Sequence, residues 1–312
     1  MITIKRYSIE QKDLWDTFVD ASKNGTFMFK RGFMDYHSDR FVDYSLMFYR
    51  DGKDWVALIP ASIHGTEFRS HGGLTYGGMI CTYAMKQHIM NDCFEAMLLY
   101  LKENGITEVV YKTIPHIYHK YPSEEELYSL WRVGACLCRR DVSSTIDLYC
   151  PLKMPKGRKA QISRAKREGV VVAEEENFEE FIALENQVLS EYHHVQAVHT
   201  GSELELLHAR FPEQILLYTA RKNGEMIAGV LLFVYDDIVH TQYMASSKIG
   251  REIGGLDLVV ATIIDKYKGT KRYLDFGIST EQAGLLLNTG LAAQKEGFGG
   301  RTIVFDMYKI EL

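Results

Sequence analysis

The 312-residue sequence lacks the marks of several large protein classes. It has no unbroken apolar run of the roughly 18 residues that a transmembrane helix needs; the nearest approach, Met226 to Val239, is interrupted by Asp236 and Asp237. Its first residues, Met1-Ile2-Thr3-Ile4-Lys5-Arg6, mix charge into positions that a secretory signal keeps apolar. A soluble, cytoplasmic protein with no transmembrane segment is expected. Cysteine is scarce and odd in number, and the closest pair, Cys136-Leu137-Cys138, has a one-residue gap that suits neither a zinc knuckle nor a thioredoxin motif. Cys81, Cys93, Cys136, Cys138 and Cys150 are therefore expected to be reduced and mostly buried. Positive charge is not in excess: the formal net charge of −5 argues against a general nucleic-acid binder and leaves room for a local basic patch. Neither G-x-S-x-G nor G-x-x-x-x-G-K-[ST] occurs, so serine-hydrolase and P-loop chemistries have no motif. His193, His194 and His199 place no two ligands on one helical turn and have no obvious acidic companion, so no metal is expected.

What is present is the balance of a globular protein, with 46% apolar and 25% charged residues, in a length that suits two cores better than one. The point at which the order of elements begins again gives domains 1–150 and 151–312, the second opening with a basic helix. Periodicity predicts, in the first, a strand at 2–7, helices at 9–22 and 31–37, a hairpin of strands 43–50 and 54–63, and a strand near 73–80. A helix at 84–103 follows, then a strand at 106–112, a helix capped by Ser123 with Glu126 at the capping-box position, and a strand at 136–148. After a basic helix at about 156–168 the order returns: strand 170–174, helices 178–191 and 202–210, strands 215–221, 226–235 and 238–246, helix 255–267, strand 272–276, helix 283–296 and strand 302–310. The repeat is one of architecture, β-α-α-β-β-β-α-β-α-β in each half.

That order resembles the GNAT (acyl-CoA N-acyltransferase) fold, whose mixed sheet splays between its fourth and fifth strands to admit a pantetheine-like arm. The fold class implied is α/β (α+β mixed), with tandem duplicated GNAT-like domains, each a splayed mixed sheet flanked by helices. Three stretches are more specific. Ser70-His71-Gly72-Gly73-Leu74-Thr75-Tyr76-Gly77-Gly78 lies at the fourth strand of the first half. Lys156-Gly157-Arg158-Lys159-Ala160-Gln161-Ile162-Ser163-Arg164-Ala165-Lys166-Arg167-Glu168-Gly169-Val170 is similar to the R-x-x-I-R-K-A-x-x-x-G-V segment that opens the second domain of the Fem aminoacyltransferases, which extend peptidoglycan bridges. The third runs from Tyr243-Met244-Ala245-Ser246-Ser247 through Tyr273-Leu274-Asp275-Phe276-Gly277 to Lys295-Glu296-Gly297-Phe298-Gly299-Gly300-Arg301. Together they resemble the Fem family and its two-domain GNAT relatives. That resemblance implies acyl-CoA or aminoacyl-tRNA as donor, with Arg251, Gly254 and Gly255 standing where a GNAT pyrophosphate loop lies, although Leu256 replaces its usual small residue. The long helical arm with which several Fem enzymes hold charged tRNA has no counterpart.

Residue chemistry adds candidates. Gly72, Gly73, Gly77 and Gly78 flank a strand edge; they are either tight turns or places where a ligand approaches backbone N–H groups, and Tyr76 between them offers a phenol. Lys153 to Arg167 carries seven basic residues in fifteen before the first acid, Glu168. It reads either as a solvated linker helix or, through Arg158, Lys159 and Arg164, as a binder of a small-molecule or lipid-linked phosphate-bearing acceptor. On the GNAT analogy Tyr243, Ser246 and Asp275 border the splayed site. Backbone N–H groups near Met244 to Ser246 would hold an oxyanion, Asp275 would carry the amine proton and Tyr243 would protonate the leaving group. Asn288, Lys295 and Arg301 in and after the last helix are further candidates for substrate binding, against a solvent-facing alternative. The function expected is acyl or aminoacyl transfer to an amine of a cell-envelope or glycan precursor, as part of peptidoglycan or polysaccharide biosynthesis; the alternative is a non-catalytic double-GNAT ligand-binding protein.

Overall fold

The computed structural model describes residues 1–193 and 196–312, so His194, weighed above as a metal ligand, lies outside the described residues. Among the described residues no group of three or more His, Cys, Asp and Glu side chains could hold a metal ion. No helix of the described residues is long and apolar enough to cross a membrane. All five cysteines are free thiols, but only Cys81 and Cys93 are buried; the other three are exposed, contrary to the expectation, because Cys136 and Cys138 occupy the solvent-facing start of a long strand.

The chain forms two compact units: residues 1–142, 280–286 and 304–312 make the first, and 143–279 and 287–303 the second. A single cut at 150/151 does not describe this division, because the final strands of the two halves are exchanged. Periodicity reveals that a strand exists, not which ladder it joins.

In the first unit β1 (Ile2–Arg6), α1 (Lys12–Ala21), β2 (Leu46–Arg50), β3 (Asp54–Ile59), β4 (Ile80–Cys81), α2 (Gln87–Glu103), β5 (Glu108–Lys112), α3 (Glu125–Arg132) and the start of β6 (Cys136–Asp147) follow in order. β1 to β4 form an antiparallel four-stranded sheet. The β2–β3 turn places Asp51 and Gly52 at φ 51° and 70°, as a tight hairpin matched to strand twist requires. α2 buries Ile89, Met90, Cys93, Phe94, Met97 and Leu101, a stripe at three- and four-residue spacing that packs into the unit's core. β5 lies in another sheet, parallel to the short strand Glu67–Arg69 and antiparallel to the chain's last strand.

The second unit holds α4 (Lys156–Arg167), β7 (Val171–Glu175), α5 (Phe178–His193), α6 (Gly201–Arg210), β8 (Ile215–Lys222), β9 (Glu225–Val234), β10 (Ile238–Ser246), α7 (Lys248–Ile253), α8 (Gly255–Tyr267), β11 (Tyr273–Ile278), α9 (Thr289–Glu296) and the start of β12 (Arg301–Glu311). Its strands run β7-β8-β9-β10-β11-β6. β9 is buried at every position after Glu225, which is why Met226–Val234 reads as a nearly continuous apolar run.

Three local differences have clear causes. The strand expected near 73–80 shrinks to Ile80–Cys81, the glycines before it forming irregular chain. α9 begins at Thr289 rather than 283, because Ala283 and Gly284 take φ of 56° and 90°, incompatible with an α-helix, and the Asn288 side chain caps the helix at Leu291 N–H (3.0 Å). The expected Ser123–Glu126 capping box is absent: α3 starts at Glu125 without a side-chain cap, and Glu126 is fully turned into the core.

Candidate active site

The second unit's sheet forks. β10 and β11 run parallel but pair at only three positions, Ile238 with Tyr273, Val239 with Leu274 and His240 with Asp275. Beyond His240, among the described residues, no strand pairs with that edge of β10 from Thr241 to Ser246. β10 also carries a bulge against β9: Leu231 faces Tyr243 while Leu232 faces Thr241, so Gln242 is the extra residue. A bulge leaves its extra residue outside the ladder and bends the strand, which turns β10 away from β11.

A polar network closes the fork. His240 Nδ1 lies 2.8 Å from Asp275 Oδ2, and Asp275 Oδ1 accepts from Ser143 Oγ and from Thr145 Oγ1 at 2.8 Å. Burial works to raise the Asp275 carboxyl, but His240 and the two hydroxyls outweigh it and hold the group below its ordinary value. β11 bulges after Asp275, with Gly277 at φ 73°, and the carbonyls of Gly277 and Ile278 accept from Lys295 Nζ of α9 at 2.8 and 2.7 Å. Burial pushes the Lys295 ammonium down to about 8, with Asp275 acting in the opposite sense. A Cβ at Gly277 would lie 3.3 Å from His240 Cε1, so glycine there serves both the left-handed backbone and the histidine's seat.

Farther along β10, Tyr243 Oη lies 2.7 Å from His199 Nδ1. Burial pushes the phenol up to about 12, and Glu185 on α5 adds to the shift. Ser246, at the strand's end, is buried, with its hydroxyl 3.5 Å from the Ser247 carbonyl oxygen. The Arg251 guanidinium donates to Ser246 O at 2.7 Å, tying α7 back onto the strand. Gly254, at φ 83°, joins α7 to α8, and a Cβ there would meet Gln161 O of α4 at 2.6 Å; at Gly255 it would meet Ile227 Cδ1 at 3.1 Å. The close approaches at these two glycines are thus to α4 and β9.

Of the basic helix, Arg158 is directed inward: it donates to Asp257 of α8 (2.5 Å) and Gln294 O of α9 (3.1 Å), over the Phe298 ring at 4.1 Å. Lys159 and Arg164 are exposed, as is Arg301, whose guanidinium donates to Gly300 O at 2.6 Å.

The first unit is arranged differently at the corresponding place. Tyr76 is buried, its hydroxyl donating to Thr26 Oγ1 at 3.4 Å and its ring 4.5 Å from that of Tyr118. A Cβ at Gly77 would fall 2.2 Å from Ser70 O, and one at Gly78, which has φ 97°, 2.7 Å from Glu126 Oε2. Glu126 Oε2 accepts from Tyr111 Oη (2.5 Å) and Met79 N–H (3.0 Å), and Oε1 from Ile114 N–H (3.3 Å). Burial raises its carboxyl to about 7, against those hydrogen bonds. Between β4 and β5, therefore, main-chain donors that a ligand could reach are taken by a side chain of the chain itself.

Asp275, Lys295 and the β10 residues Tyr243 and Ser246 thus lie in the forked unit, whereas Tyr76, Gly77 and Gly78 answer to packing in the other. His240, Ser143, Thr145 and Glu185 did not stand out in the sequence, and His199 did so only as a rejected metal ligand. Only one signal was available for them: a histidine and a glutamate at positions whose periodicity calls for apolar residues.

Residues 156–283 match the family described as acetyltransferase (GNAT) domain. No curated protein sequence matches the chain. Among solved structures, FemX superposes with a TM-score of 0.68 at 11% identity, over 97% of this chain and 96% of that one. L-PGS from Bacillus licheniformis gives 0.64 at 14%, over 97% and 92%. A tandem GNAT protein from the clavulanic acid biosynthesis pathway gives 0.54 at 9%, over 100% and 98%. A GNAT domain in general implies an acyl-CoA donor. Residues 156–283 are thus a GNAT-type acyltransferase domain, and the chain is an acyltransferase that resembles, in fold, two-domain GNAT proteins including FemX.

Proposed function

We propose that the protein transfers an acyl or aminoacyl group, from acyl-CoA or aminoacyl-tRNA, to an amine of a phosphate-bearing cell-envelope or glycan precursor. The observation that supports this is the fork of the second unit, where β10 carries an edge from Thr241 to Ser246 with which, among the described residues, no strand pairs. An ester or thioester carbonyl seated against that edge would have its developing oxyanion met by main-chain N–H groups, whose loss singly costs about 10²–10³ in kcat in well-studied sites. Tyr243, protonated throughout the neutral range, is the proton donor for the leaving group. Asp275 takes a different part from the one the sequence led us to expect. Both of its oxygens already accept hydrogen bonds, so it orients His240 rather than carrying the amine proton. The exposed cations Lys159 and Arg164 on α4 are the candidates for the acceptor's phosphate, and likeness to FemX favours an acceptor of the cell envelope. The first unit, whose gap is filled by Glu126, would contribute binding and no chemistry.

The test is mass spectrometry of products after incubation with acyl-CoA or charged tRNA and an amino-sugar acceptor. An acyl or aminoacyl mass gain on the acceptor is expected; no gain with every donor refutes the proposal.

A further inference from the structure

Three successive leucines belong to neither unit's core: Leu285, Leu286 and Leu287 are 90%, 45% and 44% exposed. They lie in a small hairpin that follows directly on β11, in which Thr280–Glu281 pairs with Leu286–Leu287. Its turn takes three left-handed residues in a row, Gln282 (φ 49°), Ala283 (φ 56°) and Gly284 (φ 90°), and the first two carry side chains that disfavour that conformation. Strain of this kind persists only where the surroundings enforce it. Here they do. A Cβ at Gly284 would fall 2.4 Å from Arg140 O of β6, Thr280 Oγ1 donates to Asp141 Oδ1 at 2.7 Å, and Asn288 N–H donates to Ser279 O at 2.9 Å across the hairpin's base. The fold holds a strained turn in one place, and what that turn presents to water is leucine.

Charge narrows the choice of partner. A quarter of the chain is charged, yet the thirteen residues from Gln282 to Gln294, most of them exposed, include no Asp, Glu, Lys or Arg. The cation at the hairpin's seat, Arg140, is neutralised by Asp306 at 2.6 and 2.7 Å. A polyanion such as RNA finds no free cation here. Three leucines also fall well short of the about 800 Å² that each partner buries in a specific protein interface. A lipid bilayer fits both facts, because its headgroup–acyl boundary accepts a short apolar tip and penalises charge. We propose that the Thr280–Leu287 hairpin is a membrane-contact element whose Leu285–Leu287 tip enters that boundary. The contact stands by itself; its use, to bring the fork bounded by β11 to an acceptor carried in the bilayer, rests on the transfer reading above.

The experiment follows hydrogen exchange in the unaltered protein with vesicles of dioleoylphosphatidylcholine and, separately, of equimolar dioleoylphosphatidylcholine and dioleoylphosphatidylglycerol. Amides from Gln282 to Leu291 are expected to exchange more slowly with either vesicle, at low and at high salt, because the contact involves no charge. Leu285→Ser combined with Leu286→Ser should lower the vesicle partition coefficient at least about tenfold. Leu99→Ser, which removes another exposed leucine from α2, should leave it unchanged, and both variants should keep the melting midpoint of the unaltered protein. Hairpin amides that neither vesicle slows, or a double variant that partitions like the unaltered protein, overturn the proposal. So does binding only to phosphatidylglycerol vesicles that salt abolishes, which assigns the contact to the cations of α4. Protection that appears without vesicles as the protein is concentrated overturns it as well, in favour of a second copy of the chain. Where transfer is detected, the double variant should raise KM for an acceptor presented in vesicles and leave kinetics with the same headgroup in water unchanged; equal effects on both overturn the proposed use. Vesicle contact with no transfer from any donor would leave the hairpin's role standing and remove the transfer reading alone.

Discussion

Replacing Asp275 by asparagine should loosen the fork of the second unit while leaving the first unit intact. The carboxylate is fully buried and holds Ser143, Thr145 and His240. Hydrogen bonds to a charged group contribute about 1.5–3 kcal/mol each, but groups in one network are not additive. Removing one partner of a buried charged pair costs about 3–5 kcal/mol. Asparagine keeps the shape and one acceptor oxygen, so we place the loss near the lower limit, at about 3 kcal/mol. With a urea slope of about 2 kcal/mol per molar for a unit of this size, the midpoint should fall by about 1.5 M. Trp15, Trp55 and Trp131 all belong to the first unit, so tryptophan fluorescence reports that unit and should change little. The second unit is followed by hydrogen exchange at β10 and β11, where protection should drop most. The pH dependence has a definite sign. Because the folded carboxyl lies below its ordinary value, its stabilisation is present above the unfolded pKa and is lost as pH falls through the folded one. The variant should lack that acid limb. An exchange-derived loss under about 0.5 kcal/mol, within the range of ordinary surface substitutions, would refute the view that this network holds the fork.

Gly277→Val places a branched side chain at φ 73°, 3.3 Å from His240 at the Cβ alone, and should cost about 2 kcal/mol, read as a lower melting midpoint. Lys295→Met leaves the carbonyls of Gly277 and Ile278 without their donor and should cost about 1–3 kcal/mol, with faster exchange around the β11 bulge. Glu126, whose folded pKa is raised to about 7, gives stability that is present below its unfolded pKa and is lost as pH rises through 7. The denaturant midpoint reported by tryptophan fluorescence should therefore fall between pH 5 and pH 8, and Glu126→Gln should flatten that fall.

The second unit was the more legible of the two from sequence. β10 and α8 have the bounds that periodicity predicts, 238–246 and 255–267, because a doubly covered strand and an apolar helix declare themselves residue by residue. The first unit hid more. The Ser70–Gly78 glycines look like a strand end beside a ligand, but Gly77 and Gly78 are needed for close contact with Ser70 and Glu126. Glu126 itself matched a capping box, and the pull that overrode that local rule, the Tyr111 hydroxyl and the N–H groups of Met79 and Ile114 that donate to its carboxylate, comes from residues outside the helix. The site behaves likewise. Tyr243 and Asp275 stand out locally, but what each can do is set by His199, His240, Ser143 and Thr145. Three of these four lie 35 to 132 residues from Asp275 and the other 44 from Tyr243, and no local pattern couples them. The exchange of β6 and β12 was invisible for the same reason, since pairing partners are a property of the ladder and not of the strand.

The most direct test is a crystal structure with a non-reactive donor, an acyl-CoA thioether or an aminoacyl-adenosine amide analogue. Our account expects the acyl end to lie along the open edge of β10 between Thr241 and Ser246, with Tyr243 beside the leaving-group atom. Density for the acyl end in the first unit, displacing Glu126 from Met79 and Ile114 while the β10 edge stays empty, would contradict it.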